Sequence, residues 1–435
     1  MPDQPKVDLK KLIEQLRLAQ QGEGTPAEQH KPIEEYKFWK TQPVTKFEKE
    51  SAPEQGPLEV KQVSDVPKTP QNLPAGFKWA TLDVTNTDEL TELYELLYAN
   101  YVEDDDEQFR FKYSIPFLRW ALTPPGWNKE FAVAVRATDT NKLLAFISGT
   151  PAKLSVRGEV LSTVEINFLC VHKQLRSKRM APVLIREVTR RVNLTGVWQA
   201  LFTAGTLIPT PVSEALYFHR VLNWSKLYDV GFAGLPPGST PAQEVARCAL
   251  PSKQSLKGFR PLNPETDLDQ VHALLSKYLS KFELHQQFSK EELVHWLTPR
   301  DKVLHSFVVE SESGEITDFI SAFGLESSVF GTTKHDSISI AYTFYYATTA
   351  AKPFLRTRLE DLFQALLIEC KQLGYDVLNA LTVMDNTLVL DATRFRPGDG
   401  VLHYNLFNWK TAPISGGIDD QRRITPPGGV GVVML

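Results

Sequence analysis

The sequence predicts an α/β protein of two halves, each a mixed sheet carrying amphipathic helices. Three observations point to this. At 435 residues the chain exceeds what one simple core holds. Strand-length apolar runs alternate with helix-period segments. The order hairpin, strand, helix, strand occurs twice, over 131–205 and again over 303–383.

Residues 1–35 are polar, carry one short amphipathic pattern (7–20), and read as a mobile arm. YKFWKTQPV (36–44) sets three aromatics in four residues before a proline, and 45–75 is a Pro- and charge-rich connector. In 88–101, Leu90, Leu93, Tyr94, Leu97 and Tyr101 recur at helical spacing. Two apolar runs around Asp139-Thr140-Asn141 predict a hairpin over 131–156. STVEINFLCV (162–171) and VWQALFTAG (197–205) read as strands. Between them Ala181, Leu184, Ile185, Val188 and Val192 share one helix face, with Pro182 suited to the first turn. The second half follows the same plan: a helix (268–281), a hairpin (303–325) and a strand (337–349). A helix bearing Leu359, Leu362, Phe363, Leu366, Leu367 and Cys370 on one face comes next, then a strand (375–383).

Composition narrows the function. With 42% apolar and 23% charged residues a large core is available, and a net charge of −4 gives no ground for bulk nucleic-acid or membrane binding. Cys170, Cys248 and Cys370 lie far apart without ligand spacing, so neither a disulfide framework nor a zinc site is expected, and a reducing cytosol fits. No apolar run reaches the roughly 18 residues of a membrane span, and the N-terminus lacks a signal-peptide pattern.

Several constellations carry chemistry. Arg176-Ser177-Lys178-Arg179-Met180-Ala181 joins a strand to a helix start, where unpaired amides and the helix dipole favour an anion. Cationic side chains there make a phosphate or pyrophosphate site; the plain alternative is a solvated basic loop. Cys170 and His172 point to one face of a strand, yet a nucleophile must be a thiolate, and a strand cysteine is more often a small core residue. Should strand pairing stop near Phe168–Val171, the freed amides could form an oxyanion hole. Glu103, Asp104, Asp105 and Asp106 precede Phe109, Phe111 and Tyr113. Acid beside aromatics suits a cationic peptide, or else this is a solvated loop. Tyr217-Phe218-His219 and Gly398-Asp399-Gly400 are structural signals that could also meet a substrate. The tail PPGGVGVVML is apolar, so its end is expected to be buried, where the Leu435 α-carboxylate would be a stronger base.

Glu165 to Lys173, EINFLCVHK, resembles the signature of the eukaryotic glycylpeptide N-myristoyltransferases. The resemblance runs over about 36–435, is nearest the fungal members, and includes YKFWKTQPV, YVEDDDEQFRFKYS, TAG, YFHR and the VVML end. The 176–181 loop is similar to the phosphate loop of GNAT-like acyltransferases, with Arg179 at its first glycine position and Ala181 at its second. The family implies two GNAT-like halves about a pseudo-twofold, fused into one compact unit. Residues 36–235 would bind myristoyl-CoA, and 236–435 would bind peptide and supply the catalytic C-terminus. It implies transfer of myristate to the N-terminal glycine of proteins or nascent chains, with myristoyl-CoA as co-substrate. No prosthetic group, metal or nucleic acid is implied, and a cytoplasmic monomer is expected.

Carried over by position, the resemblance assigns the Leu435 carboxylate as base, and the Phe168 and Leu169 amides as oxyanion hole. Asn167 and Thr203 would guide the amine. Tyr36, Lys37, Phe38 and Trp39 would cover the acyl-CoA. Phe168, Leu169, Cys170, Val171, Arg176, Ser177, Lys178, Arg179, Met180 and Ala181 would line its site. Peptide contacts would come from Tyr101, Phe109, Phe111, Tyr113, Tyr217, His219, Phe232, Tyr342, Asn379, Asp399 and Gly400, under Glu103, Asp104 and Asp105. A thioester is already activated, so amine, proton acceptor and polarised carbonyl suffice. Two departures bear on peptide choice: Arg396 at a family glycine, and Ala322-Phe323-Gly324-Leu325-Glu326 where Ser-Phe-Tyr is usual. The competing readings are a GNAT-type transferase of another acyl chain or to lysine, and a non-catalytic acyl-CoA or peptide binder.

Overall fold

A computed structural model of the chain describes residues 33–46, 54–101, 108–332 and 334–435. Most of the expected N-terminal arm lies outside them; Ile33–Glu35 form one 3-10 turn. Part of the connector is held in place. The Glu59 amide donates to Asn408 Oδ1 at 2.7 Å and Asn408 Nδ2 donates back to the Glu59 carbonyl at 3.0 Å.

Along the first half run β1 (Phe77–Thr81), helix α1 (Thr87–Asn100), β2 (Phe109–Lys112), β3 (Ala132–Ala137), β4 (Leu143–Val156) and β5 (Glu159–Val171). Helix α2 (Met180–Asn193), β6 (Gln199–Ala204) and β7 (Ser213–Val221) complete it. The second half contributes β8 (Phe259–Pro261), α3 (Leu268–Leu279), β9 (Leu284–Gln286), β10 (Leu304–Glu310), β11 (Ile316–Val329) and β12 (Ser337–Thr348). Helix α4 (Lys352–Gln372), β13 (Val377–Leu381), β14 (Arg396–Phe407) and β15 (Val430–Gly431) follow. Local chemistry sets the helix ends. Asn86 accepts from the Asp88 and Glu89 amides to start α1, and Pro353 sits in the first turn of α4.

The strands form one mixed sheet in the order β1-β3-β4-β5-β6-β14-β7-β13-β12-β11-β10-β8. It reads alike from both ends. An edge strand leads to a hairpin (β3–β4, β10–β11), then an antiparallel strand (β5, β12), then a parallel partner reached through a helix (β6 by α2, β13 by α4). At the centre the halves exchange strands: β14 lies against β6, β7 against β13, and β7 and β14 pair with each other. The repeated plan in the sequence is therefore a pseudo-twofold, and the central exchange fuses the halves. One apolar core runs through both; a second, with Val133, Ile147, Val164, Leu184 and Val188, lies between α2 and the sheet.

Two crossings tie the site together. β2 leaves the first half and pairs with β11, Phe109 opposite Val329. The apolar tail is buried as its composition required: β15 pairs in parallel with β9, which pairs antiparallel with β4.

Candidate active site

The site begins where β5 and β6 part. Their parallel pairing ends at Ile166–Phe202, although β5 continues to Val171. On its other edge β5 skips register: Asn167 faces Ser148 and Cys170 faces Phe146, so Phe168 and Leu169 together oppose Ile147 alone. This two-against-one bulge turns Phe168 into the left-handed region at φ 55°. A buried phenylalanine holds that conformation only where its surroundings fix it. Here its ring packs on Tyr113 (5.4 Å) and Tyr101 (6.2 Å). The Phe168 amide is directed at the Tyr101 hydroxyl, whose pKa burial raises and this contact partly lowers.

A cavity of about 770 Å³ runs from this bulge in both directions. On one side it passes through the second core, lined by Ile147, Val164, Ile166, Ile185, Val188, Val192, Ala200 and Phe407. Trp39 covers this side and stacks on Phe202 with centroids 5.4 Å apart and planes within 8°. On the other side it opens among Phe109, Phe111, Tyr217, His219, Phe232, Tyr342, Asn379 and Gly400. Asn167, Phe168, Leu169, Thr203, Met434 and Leu435 lie on the same wall system. One space thus joins an apolar channel, a polar junction and an aromatic groove.

The groove has an ordered polar floor. His219 and Asn379, cross-strand partners on β7 and β13, share a 2.7 Å bond between Nδ1 and Oδ1. Burial lowers the His219 pKa; the Asn379 bond and the Asp399 charge oppose it. An amide oxygen only accepts, so Nδ1 carries the proton and Nε2 is left as an acceptor. The backbone at Gly398 presses on it: a Cβ there would lie 2.2 Å from His219 Nε2. Arg396 pairs with His219 in ordinary extended backbone, so a glycine is not required at that position. In the other departing segment Phe323, Leu325 and Ser327 line the cavity, and Phe323 stacks on Tyr342 at 5.0 Å. Glu326 points away and pairs with Lys112.

The tail is held beside the junction by two buried tyrosines. The Val433 amide donates to the Tyr345 hydroxyl at 3.2 Å, and the Tyr404 hydroxyl donates to the Val432 carbonyl at 3.0 Å.

Other expected residues fall outside the cavity wall. Burial pushes the Cys170 thiol up to about 12, so it is no thiolate near neutrality. Its neighbour His172 caps the 3-10 turn Lys173–Lys178 by accepting from the Gln174 amide. Val171 packs in the second core. The Arg176 guanidinium bonds the Asn100 carbonyl, and the Lys173 amide donates to Asn100 Oδ1 at 2.9 Å. Arg179 stands at φ 57° immediately before α2, and Lys178 and Arg179 are exposed there. Met180 is buried, while Ala181 is half-buried against the second core. Of Ser177, only its place in the turn is described. Tyr36 and Lys37 precede the covering Trp39, and Arg186 lies 5.5 Å over the Phe38 ring. Asp399 adjoins the groove without lining it. Glu103, Asp104 and Asp105 lie outside the described residues. The channel residues on β4 and α2 escaped the sequence reading; strand alternation marked them as core but not which core is hollow.

The comparisons agree with this geometry. The N-terminal domain model of myristoyl-CoA:protein N-myristoyltransferase matches residues 57–215, and the C-terminal domain model matches 229–433. Glycylpeptide N-tetradecanoyltransferase of Aspergillus fumigatus is 48% identical over 95% of this chain and 86% of its own length. The Candida albicans protein of that name is 47% identical over 98% and 97%. A crystal structure of Saccharomyces cerevisiae N-myristoyltransferase with bound myristoyl-CoA is 46% identical, with TM-score 0.89 over 92% of this chain and 99% of that one.

Proposed function

We propose how the site works from the premise that the chain belongs to the myristoyl-CoA:protein N-myristoyltransferase family. It is an acyltransferase, taking myristate from myristoyl-CoA in protein N-myristoylation. Beyond this, we infer that the acyl chain occupies the channel through the second core, the CoA phosphates meet the start of α2, and the peptide enters by the aromatic groove. Its N-terminal glycine reaches the junction, where the Leu435 α-carboxylate accepts a proton from the ammonium. The neutral amine attacks the thioester carbonyl; an N–C bond forms and the C–S bond breaks. The Leu169 amide, joined by the Phe168 amide as it leaves the Tyr101 hydroxyl, receives the developing oxyanion, and CoA leaves as the thiol with the amine's second proton. The observation that carries this is the single cavity in which Asn167, Thr203 and Leu435 stand between an apolar channel and a polar groove. Neutral His219 suits a hydroxyl donor on the peptide, in keeping with a Ser or Thr a few residues in.

We also infer a cytosolic monomer; Cys170, Cys248 and Cys370 are free thiols, which fits a reducing compartment. Incubation with myristoyl-CoA and a Gly-x-x-x-Ser peptide, read by mass, tests the whole. The expected result is one myristoyl addition on the glycine amine. Acyl-CoA binding without addition would favour the non-catalytic binder; addition to lysine or of another acyl chain would favour the broader transferase.

A further inference from the structure

Glu165 belongs to the same strand as the junction, yet the mechanism above gives it no task. Its side chain accepts a hydrogen bond from Asn167 Nδ2 at 2.6 Å. Asn167 lines the cavity; Glu165 does not. The backbone beneath this pair is tied down, with Ser148 Oγ donating to the Asn167 carbonyl at 3.0 Å. A carboxylate can only accept, so it must take the NH2 end of the Asn167 amide. The amide oxygen then faces the cavity, where an incoming ammonium needs an acceptor. Without Glu165 the two ends of the amide compete, and an NH2 group turned inward would repel the glycine.

We propose that Glu165 is a positioning residue for acyl transfer, fixing the Asn167 amide with its oxygen toward the substrate amine. This rests on the transferase reading of the same site. A protonated Glu165 could donate to Asn167 Oδ1 instead and release the lock. Burial raises the Glu165 carboxyl to about 7, with the Asn167 bond opposing. β4 and β6 set Thr150 and Leu201 opposite it, neither of which titrates here. Among the described residues, Tyr345 of β12 and Tyr404 of β14 are the titratable groups that feel its charge, and both hydroxyls are shifted upward, burial being the first cause. These same two tyrosines hold the tail that ends in Leu435, which lines the same cavity as Asn167. Ionised Glu165 therefore orients one acceptor at the junction beside the other.

The test is single-turnover transfer from myristoyl-CoA to a glycine-terminated peptide between about pH 6 and 9, for wild type and Glu165→Gln. Glu165→Gln is expected to lower the rate about 10- to 100-fold, as loss of reactive geometry does. Myristoyl-CoA affinity should not change, and the rise in rate across pH 7 expected for wild type should vanish. Glu165→Asp, which keeps a carboxylate, should retain that rise at a reduced rate. This second variant keeps the proposal falsifiable if Glu165→Gln fails to fold: no rise in Glu165→Asp overturns it. So does a Glu165→Gln rate equal to wild type, or a lower rate that keeps the pH 7 limb. No transfer by wild type would instead overturn the transferase reading, and the proposal with it.

Discussion

The Tyr404 hydroxyl donates to the Val432 carbonyl at 3.0 Å, inside the core and three residues from the chain's last atoms. Tyr345 takes the adjacent Val433 amide at 3.2 Å. Tyr404→Phe leaves a buried carbonyl without its donor, costing about 1–3 kcal/mol. Because the unpaired carbonyl lies on the tail, kcat should fall by more than acyl-CoA affinity. Urea unfolding with steady-state kinetics checks this; a stability loss with unaltered kcat would confine the tyrosine to packing.

The end of the tail makes a sharper demand. Val432, Val433 and Met434 are buried, while Leu435 lines the cavity. Extending the chain by a few residues beyond Leu435 replaces the carboxylate with a neutral amide and fills the junction. Turnover should drop about 100-fold or more, as for loss of a general base, while myristoyl-CoA still binds. Unchanged turnover would remove the carboxylate from the mechanism.

Arg179 occupies left-handed backbone at φ 57°, where an arginine is disfavoured relative to glycine by about 1 kcal/mol. Arg179→Gly should therefore raise thermal stability slightly. It also removes a cation from the start of α2, so KM for acyl-CoA should rise. These opposite signs separate a site residue from a loop residue. Higher stability with unchanged KM would leave Arg179 no part in phosphate binding.

Much of this was legible in the sequence because burial is periodic. The faces of α1, α2 and α4, both hairpins and the buried tail follow directly from apolar spacing. EINFLCVHK was legible only as a resemblance, since neither the bulge at Phe168 nor the parting of β5 from β6 has a composition signal. The exchange of β7 and β14 was hidden for a similar reason: periodicity finds strands but not their partners. Glu165 drew no role because a carboxylate in a strand looks the same whether it faces solvent or an amide at 2.6 Å.

Cys170 shows what burial changes. With its thiol pushed up to about 12, the thiolate population near neutrality is negligible. Cys170→Ala should keep kcat within about twofold and lose at most about 1–2 kcal/mol of stability from the small void. Loss of turnover in a variant that unfolds normally would return the cysteine to the mechanism.

Stability should depend on pH through two opposing sets of groups. His172, His219, His285, His295 and His305 all have lowered pKa values, with burial the first cause in each. Below the unfolded histidine value of about 6.5 the unfolded chain binds protons that these sites resist, so stability falls as pH drops through that value. Glu165 acts the other way. Its folded value of about 7 lies above the unfolded one, so its contribution is complete at low pH and is lost as pH rises through about 7. Glu165→Gln removes only this second slope. Its urea midpoint should match or exceed wild type at pH 8 and lose that advantage near pH 5. Parallel midpoint curves for the two proteins would mean that Glu165 ionises as it does in the unfolded chain. A variant more stable than wild type but slower at transfer would show that the buried charge is kept for Asn167 and not for the fold.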